Sequence, residues 1–289
     1  MNIYDCFLFT DENLILNLRL KILNDFVDKF VICETNFYHS GKEKSFNFNI
    51  NNFSDYKNKI IYIKVNELPK FTTKDLFSKR TKSCKIIGHQ RNKLLDGLSG
   101  ASKDDFILYS DIDEIPKLDN FDIIPKKKII IFQQKLFYYK FNFLRENVPW
   151  FGTRCCKKKD LINFEWMRQI KPKKYNKWRI DTFLRKDKYM NIKIVEDGGW
   201  HFSQIMSAER IYEKLLNDEH HDEFELSGIK LEDISKMIKE GIIAHDHSAD
   251  KKDVKSKWSK KILLKKIDLN LLPQEITINL EKYQKWVDQ

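Results

Sequence analysis

Cysteine is scarce in this chain and unpaired in its spacing. Cys6, Cys33, Cys84, Cys155 and Cys156 contain no Cys-x-x-Cys and make no even-numbered framework. That excludes a disulfide scaffold and points to free thiols in a reducing compartment. Long apolar runs are missing too: no stretch approaches the ~20 residues a membrane span requires. The first residues, Met1-Asn-Ile-Tyr-Asp5, lack the basic start and apolar core of a signal peptide. The expectation is a soluble, cytoplasmic protein whose fold begins at its first residues. No Gly-x-x-x-x-Gly-Lys-Ser/Thr phosphate loop occurs, and there is no internal repeat, low-complexity linker or sharp domain boundary.

What is present suits a large α/β chain. The 289 residues are 42% hydrophobic and 13% aromatic, enough for a substantial core. The net charge of +11 comes mostly from lysine scattered over the whole length. Scattered lysine reads as a solvated surface, or as an attraction for phosphate-bearing ligands, anionic glycans, lipid headgroups or nucleic acid.

The order of elements can be read from the pattern. Ile3–Phe9 reads as a strand, Thr10-Asp11-Glu12 as a helix start, and Leu14, Leu18, Ile22 and Leu23 recur at helical spacing. Asp28–Glu34 is a second buried strand, so the chain opens β-α-β. That arrangement predicts a parallel sheet with ligands beyond the carboxyl ends of its strands. Segment 35–58 reads as a long loop, Lys59–Val65 as a third strand and Ser83–Leu98 as a helix. After Pro125, Ile129–Gln134 and Leu136–Leu144 predict antiparallel pairing. Helices are expected over Asp160–Ile170, Ser207–Leu216 and Leu231–Glu240, and strands over Thr182–Lys186 and Ile192–Glu196. Lys251–Lys266 reads as a basic amphipathic helix, either solvated or lying on an anionic membrane. Ile276–Trp286 is expected to dock back on the body.

One stretch carries chemistry. Phe106-Ile-Leu-Tyr-Ser-Asp111-Ile-Asp113-Glu114-Ile-Pro116 is a buried strand ending in three carboxylates, and Pro116 stops its continuation. Acidic groups at a buried strand end need a reason. Two aspartates at i and i+2 of an extended chain point the same way and can reach one divalent cation. An acidic turn is the bland alternative. Three chemistries compete for the pair: sugar transfer from a nucleotide sugar with the cation as Lewis acid, nucleotidyl or phosphoryl transfer, and non-catalytic nucleic-acid binding. Asp197-Gly-Gly-Trp-His201 frees the backbone before an indole and an imidazole. His201 is either packed or the group that completes an oxygen-rich metal site. His245 and His247 resemble a metal pair without other ligands nearby, and His220 and His221 read as exposed helix-end residues. Cys155 and Cys156 read as structural.

In this order the segments resemble glycosyltransferase family 17, which includes the β-1,4-mannosyl-glycoprotein 4-β-N-acetylglucosaminyltransferases. The resemblance lies in Tyr4–Phe9 with Glu12 and Arg19-Leu20, Val27–Glu34 followed by Gly41-Lys42, and Gln90-Arg91-Asn92. It continues through Ser110–Pro116, Gly199–Ser203, Lys214 and His221-Asp222-Glu223, covering the chain to about position 225. It implies a GT-A fold: a Rossmann-like, mostly parallel sheet with helices on both faces and a smaller antiparallel acceptor-side part. Residues 1–125 would form the nucleotide-sugar half, 126–245 the acceptor half and 246–289 a basic helical extension.

The resemblance also implies inverting transfer of a sugar, N-acetylglucosamine or a related hexose, from a UDP-sugar to a glycan acceptor, with Mn²⁺ or Mg²⁺ as cofactor. Asp111 and Asp113 carry over as the metal pair, with Asp111 also on the donor side and His201 as third ligand. Phe9, Thr10, Glu34, Arg91 and Asn92 would line the nucleotide side, and Glu114 would contact donor sugar or acceptor. Inversion needs one carboxylate to take the acceptor proton; Asp197 and Glu223 are the candidates. Trp150 and Trp200 are either sugar platforms or core. The family's animal members are membrane-anchored, and no anchor is visible in this sequence. A role in surface polysaccharide or lipopolysaccharide assembly follows, with a lipid-linked acceptor among the options and the basic tail near the inner leaflet. No nucleic-acid partner is expected.

Overall fold

The computed structural model describes residues 1–119, 128–173, 192–245, 257–258 and 261–288. The expected strand Thr182–Lys186, His247 and half of the basic run Lys251–Lys266 lie outside the described residues.

The first half alternates as expected. Strand β1 (Ile3–Leu8) leads into helix α1 (Asn13–Leu23), then β2 (Lys29–Thr35), β3 (Ile60–Val65), α2 (Lys79–Lys93) and β4 (Phe106–Tyr109). β1 pairs in parallel with both β2 and β4, and β2 pairs in parallel with β3. Cys6, Phe7, Phe30, Val31, Ile32, Ile107 and Leu108 are fully buried along these strands. Each large side chain taken from water contributes about 1.5–3 kcal/mol. α1 covers one face with Ile15, Leu16, Leu18, Leu20 and Leu23. Its expected acidic cap does not form. Glu12 instead accepts from the Thr10 and Asp11 N–H groups at 3.1 Å and from Lys214 Nζ at 3.0 Å. The long loop after β2 contains a 3₁₀ turn over Ile50–Tyr56. α2 begins four residues earlier than its apolar pattern suggests, because Ser78 and Thr81 form a reciprocal capping box.

The second half extends the same sheet. After β5 (Glu114–Pro116), β6 (Ile129–Tyr138) is one long strand rather than the two expected, with β7 (Phe143–Leu144) a short continuation. β8 (Trp150–Lys157) pairs antiparallel with β4 and β6 and so joins the two halves. Helix α3 (Phe164–Gln169) follows, shorter than expected, with Asn163 capping the Trp166 N–H at 2.7 Å. β9 (Ile192–Val195) and β10 (Gly199–Ser203) run parallel to successive halves of β6. β10 also pairs antiparallel with β5, setting His201 beside Glu114.

The C-terminal third is helical where it meets the site. α4 (Ala208–Leu215), α5 (His221–Ser227) and α6 (Leu231–Glu240) pack on the aromatic end of β6. The described part of the basic tail departs from the expected helix. β11 (Ile242–Ile243) pairs with β12 (Ile262–Leu263), and β13 (Lys265–Lys266) pairs with β7. Helices α7 (Gln274–Ile278) and α8 (Leu280–Tyr283) dock back on α1, burying Ile276 and Tyr283 completely. Among the described residues no helix is long and apolar enough to cross a membrane.

Candidate active site

The acidic run sits at the carboxyl end of β4, but as a turn rather than extended chain. The Glu114 N–H donates to the Asp111 carbonyl at 3.0 Å. A fully buried arginine on α1 holds this turn from below. Arg19 donates to both Asp5 oxygens at 2.6 and 2.8 Å, to Ser110 Oγ at 2.6 Å, and to the carbonyls of Asp111, Ile112 and Glu114 at 2.9–3.2 Å. One guanidinium thus uses its planar fork on a strand, a turn and a buried carboxylate at once.

Because the segment turns, the two aspartates face different partners. Asp111 Oδ2 accepts from Arg168 Nη2 at 2.8 Å, and its other oxygen lies 3.4 Å from the Tyr109 hydroxyl. Arg91 donates to that hydroxyl at 2.9 Å and to Glu165 at 2.8 Å. Asp113 Oδ1 lies 3.4 Å from His201 Nε2. Burial works against both carboxylates being charged. For Asp111 the Arg168 and Arg91 guanidinia outweigh it and pull the acid down. For Asp113 the His201 imidazole outweighs it and holds the group well below the usual carboxylate range. Burial lowers His201 in turn, yet the Asp113 charge dominates and its imidazole binds protons more tightly than usual.

A cavity of about 480 Å³ opens above this turn. Thr10, Arg91, Asp111, Asp113 and His201 line it. The wall also includes Phe37, Tyr38 and His39 from the loop after β2, Trp150 from β8, Arg168 from α3, and Arg210 and Lys214 from α4. Asp218 and His220 follow α4 in the same wall. Asp111 and Asp113 therefore share one space with the cations Arg91, Arg168, Arg210 and Lys214, and the carboxylates Asp11, Glu12, Glu213, Asp218 and Glu219 complete its wall. Cations fixed beside a carboxylate pair suit a diphosphate and its counter-ion.

Other expected residues sit elsewhere. Phe9 is core, edge-on to Phe48 at 5.9 Å. Glu34 is buried behind the site, accepting from Lys44 at 2.7 Å, Tyr62 at 2.8 Å and the Asn47 and Phe48 N–H groups. Asn92 accepts from the Glu165 N–H at 3.0 Å and so anchors α3. Glu114 lies beneath the wall, bonded by Trp150 at 2.7 Å and Arg168 at 3.1 Å, where it orients both. Neither expected base lines the cavity. Asp197 is on a half-exposed turn between Lys117 and Lys135. Glu223 is tied to Lys257 at 2.9 Å and Arg80 at 3.2 Å; burial raises its acid, but Lys257, His220 and Arg80 outweigh that and keep it anionic. Trp200 donates to the Leu271 carbonyl at 3.0 Å in the core, whereas the Trp150 ring lies 4.5 Å from His201. His245 packs on Trp258, ring centres 4.6 Å apart, and His220 is half-buried in the cavity wall rather than exposed.

Among the described residues no three His, Cys, Asp or Glu side chains form a ready metal-binding group. The donor chemistry nonetheless fits a hard divalent cation. Asp113 and His201 already converge, His201 Nδ1 is buried without a hydrogen-bond partner, and Asp111 lines the same space.

The sequence profile of glycosyltransferase family 17 matches residues 1–242. The chain belongs to that family. No curated protein matches it. The crystal structure of an active-site mutant of LgtC aligns over 68% of this chain and 72% of that one. At 14% identity and a TM-score of 0.29, that likeness carries no residue across. As a family 17 glycosyltransferase the protein takes a sugar from a nucleotide-sugar donor to a glycan acceptor. Arg168, Arg210 and Asp218 carried no motif in the sequence, and Lys214 entered only as part of the resemblance. The common signal, charge facing one cavity, exists only once the helices are packed.

Proposed function

We propose that this family 17 enzyme is an inverting, divalent-metal-dependent transferase that moves N-acetylglucosamine or a related hexose from a UDP-sugar. The observation that carries the reading is the single cavity in which Asp111 and Asp113 meet Arg91, Arg168, His201 and Lys214. Asp111, Asp113 and His201 would hold Mn²⁺ or Mg²⁺, which when bound neutralises the diphosphate. Arg168 and Arg91 are braced by Glu114, Glu165 and Tyr109, so their positive ends stay fixed as negative charge grows on the leaving phosphate. Lys214 is held by Glu12 and stays charged despite burial, because Glu12 and Asp113 outweigh the loss of water. Phe37, Tyr38 and His39, with Leu8 and Ile87, offer flat and apolar surface for the base.

Residues 1–125 supply most of the donor side, 126–245 most of the acceptor side, and 246–289 a basic extension in this reading. An acceptor in surface polysaccharide or lipopolysaccharide assembly, carried on lipid, belongs to the same proposal, with the basic extension near an anionic inner leaflet. Its support is the +11 net charge, and co-sedimentation with phosphatidylglycerol vesicles tests it. Thermal stabilisation across a panel of nucleotide sugars with Mn²⁺ tests the donor. UDP-sugars are expected to raise the melting temperature; a panel in which none does overturns the reading.

A further inference from the structure

A second cavity of about 170 Å³ adjoins the first. Asp113, Lys214, Asp218 and His220 line both, so they mark the junction between them. Sugar transfer needs the donor's anomeric carbon and the acceptor's hydroxyl to meet at such a junction. The walls of the second cavity are mainly apolar and aromatic, with Tyr138, Tyr139, Phe224, Met237, Ile243 and Trp258. Its volume suits one pyranose ring laying its C–H face on those rings. Tyr139 (φ 63°) and Gln204 (φ 57°) hold left-handed backbone in this wall, a conformation that non-glycine residues adopt rarely and often at functional sites.

We propose that Asp218 is the general base and that the second cavity seats the acceptor's reacting sugar; this rests on the transferase reading above. Among the described residues two carboxylates, Asp113 and Asp218, stand at the junction. Asp113 faces His201 at 3.4 Å and in the reading above is committed to the cation, so it is not free to take the acceptor's proton. Asp218 is different. One of its oxygens accepts from the His220 N–H at 2.7 Å, which fixes the group, and among the described residues no hydrogen bond engages the other. Burial pushes its carboxyl up to about 7; Glu219 adds to this, while the His220 N–H, Lys214 and Arg80 oppose it. A base poised near the working pH is efficient.

As the acceptor oxygen bonds to the anomeric carbon, its proton passes to the Asp218 carboxylate. The anomeric C–O bond to the diphosphate breaks and its electron pair leaves on the phosphate oxygen. Attack from the Asp218 side, opposite the leaving group, inverts the centre, and Asp218 later returns its proton to water.

Asp218→Asn keeps the oxygen that accepts from His220, so folding and donor binding should survive. UDP release from UDP-hexoses in water with Mn²⁺ is expected to fall about 100-fold or more in this variant, while UDP raises both melting temperatures equally. The wild-type rate should decline as pH drops below about 7, and the variant should lack that step. Equal rates with UDP stabilising both proteins overturn Asp218 alone. If UDP stabilises neither, the transferase reading itself fails. For the cavity, saturation-transfer NMR with methyl hexopyranosides, in the presence of UDP and Mn²⁺, should show the ring C–H protons in contact with the wild type. Ala244→Phe, which fills the second cavity, should abolish that signal. No transfer to any glycoside from the wild type overturns the acceptor assignment.

Discussion

Residue by residue, the site is a set of carboxylates whose neighbours give them different tasks. Asp111 answers Arg168, Asp113 answers His201, and Glu114 braces the wall from behind. Asp113→Asn removes the charge that His201 and the cation would share. UDP release is expected to drop by about 100-fold or more with the fold intact, and a rate near wild type would remove Asp113 from the metal site. Asp111→Asn should lower the rate too and also free Arg168, so its donor affinity changes as well as its turnover. Asp218 supplies a stability test independent of catalysis. Its folded acid is raised from 3.8 to about 7, so the folded state binds the proton more tightly than the unfolded chain. Stability therefore falls as pH rises between about 4 and about 7, because ionisation costs more in the folded state. Asp218→Asn should melt higher than the wild type at pH 8 and lose that advantage near pH 4. Identical pH profiles of melting would refute the raised acid.

At the scale of elements, the acidic turn depends on α1 and β10. Arg19 links helix, strand and turn through six hydrogen bonds, all of them internal. Arg19→Ala would strand Asp5 in the core and should cost about 3–5 kcal/mol in urea unfolding. Arg19→Lys keeps the charge but not the fork, so it should weaken activity more than a simple loss of stability explains. Gly199 permits β10 to cross close to β5: its φ is +121°, and a Cβ there would collide with the Ile115 carbonyl and the Lys117 nitrogen. Gly199→Ala should cost about 1–3 kcal/mol and displace His201, which a weakened Mn²⁺ titration would register. The glycines in Asp197-Gly-Gly-Trp-His were legible as a backbone requirement. What demanded them, a strand crossing two residues before the imidazole, was not.

Over the whole molecule, the site exists because elements far apart in sequence share one rim. Thr10, Arg91, Asp111, Arg168, His201 and Lys214 come from six separate segments. Ligand occupancy should therefore lock both halves of the sheet together. Saturation with UDP and Mn²⁺ at 100 times Kd is expected to add about 2.7 kcal/mol, seen as a single shifted unfolding transition. Two transitions, with only one of them shifted, would contradict a shared site.

Local pattern by itself determined the β-α-β opening, the buried strand ending in Asp111 and Asp113, and the glycines before His201. Apolar periodicity, proline and glycine act over a few residues and leave their mark there. Only the tertiary structure decided that Asp197 and Glu223 face lysines instead of the cavity, that the Asp-Ile-Asp run is a turn held by Arg19, and that Asp218 stands between two cavities. Charges meet through space, and their ionisation follows burial and neighbours that the linear order does not encode. Asp111 and Asp113 could be read in the sequence because they follow directly on a buried strand; Asp218 could not, because nothing in its own segment distinguishes it.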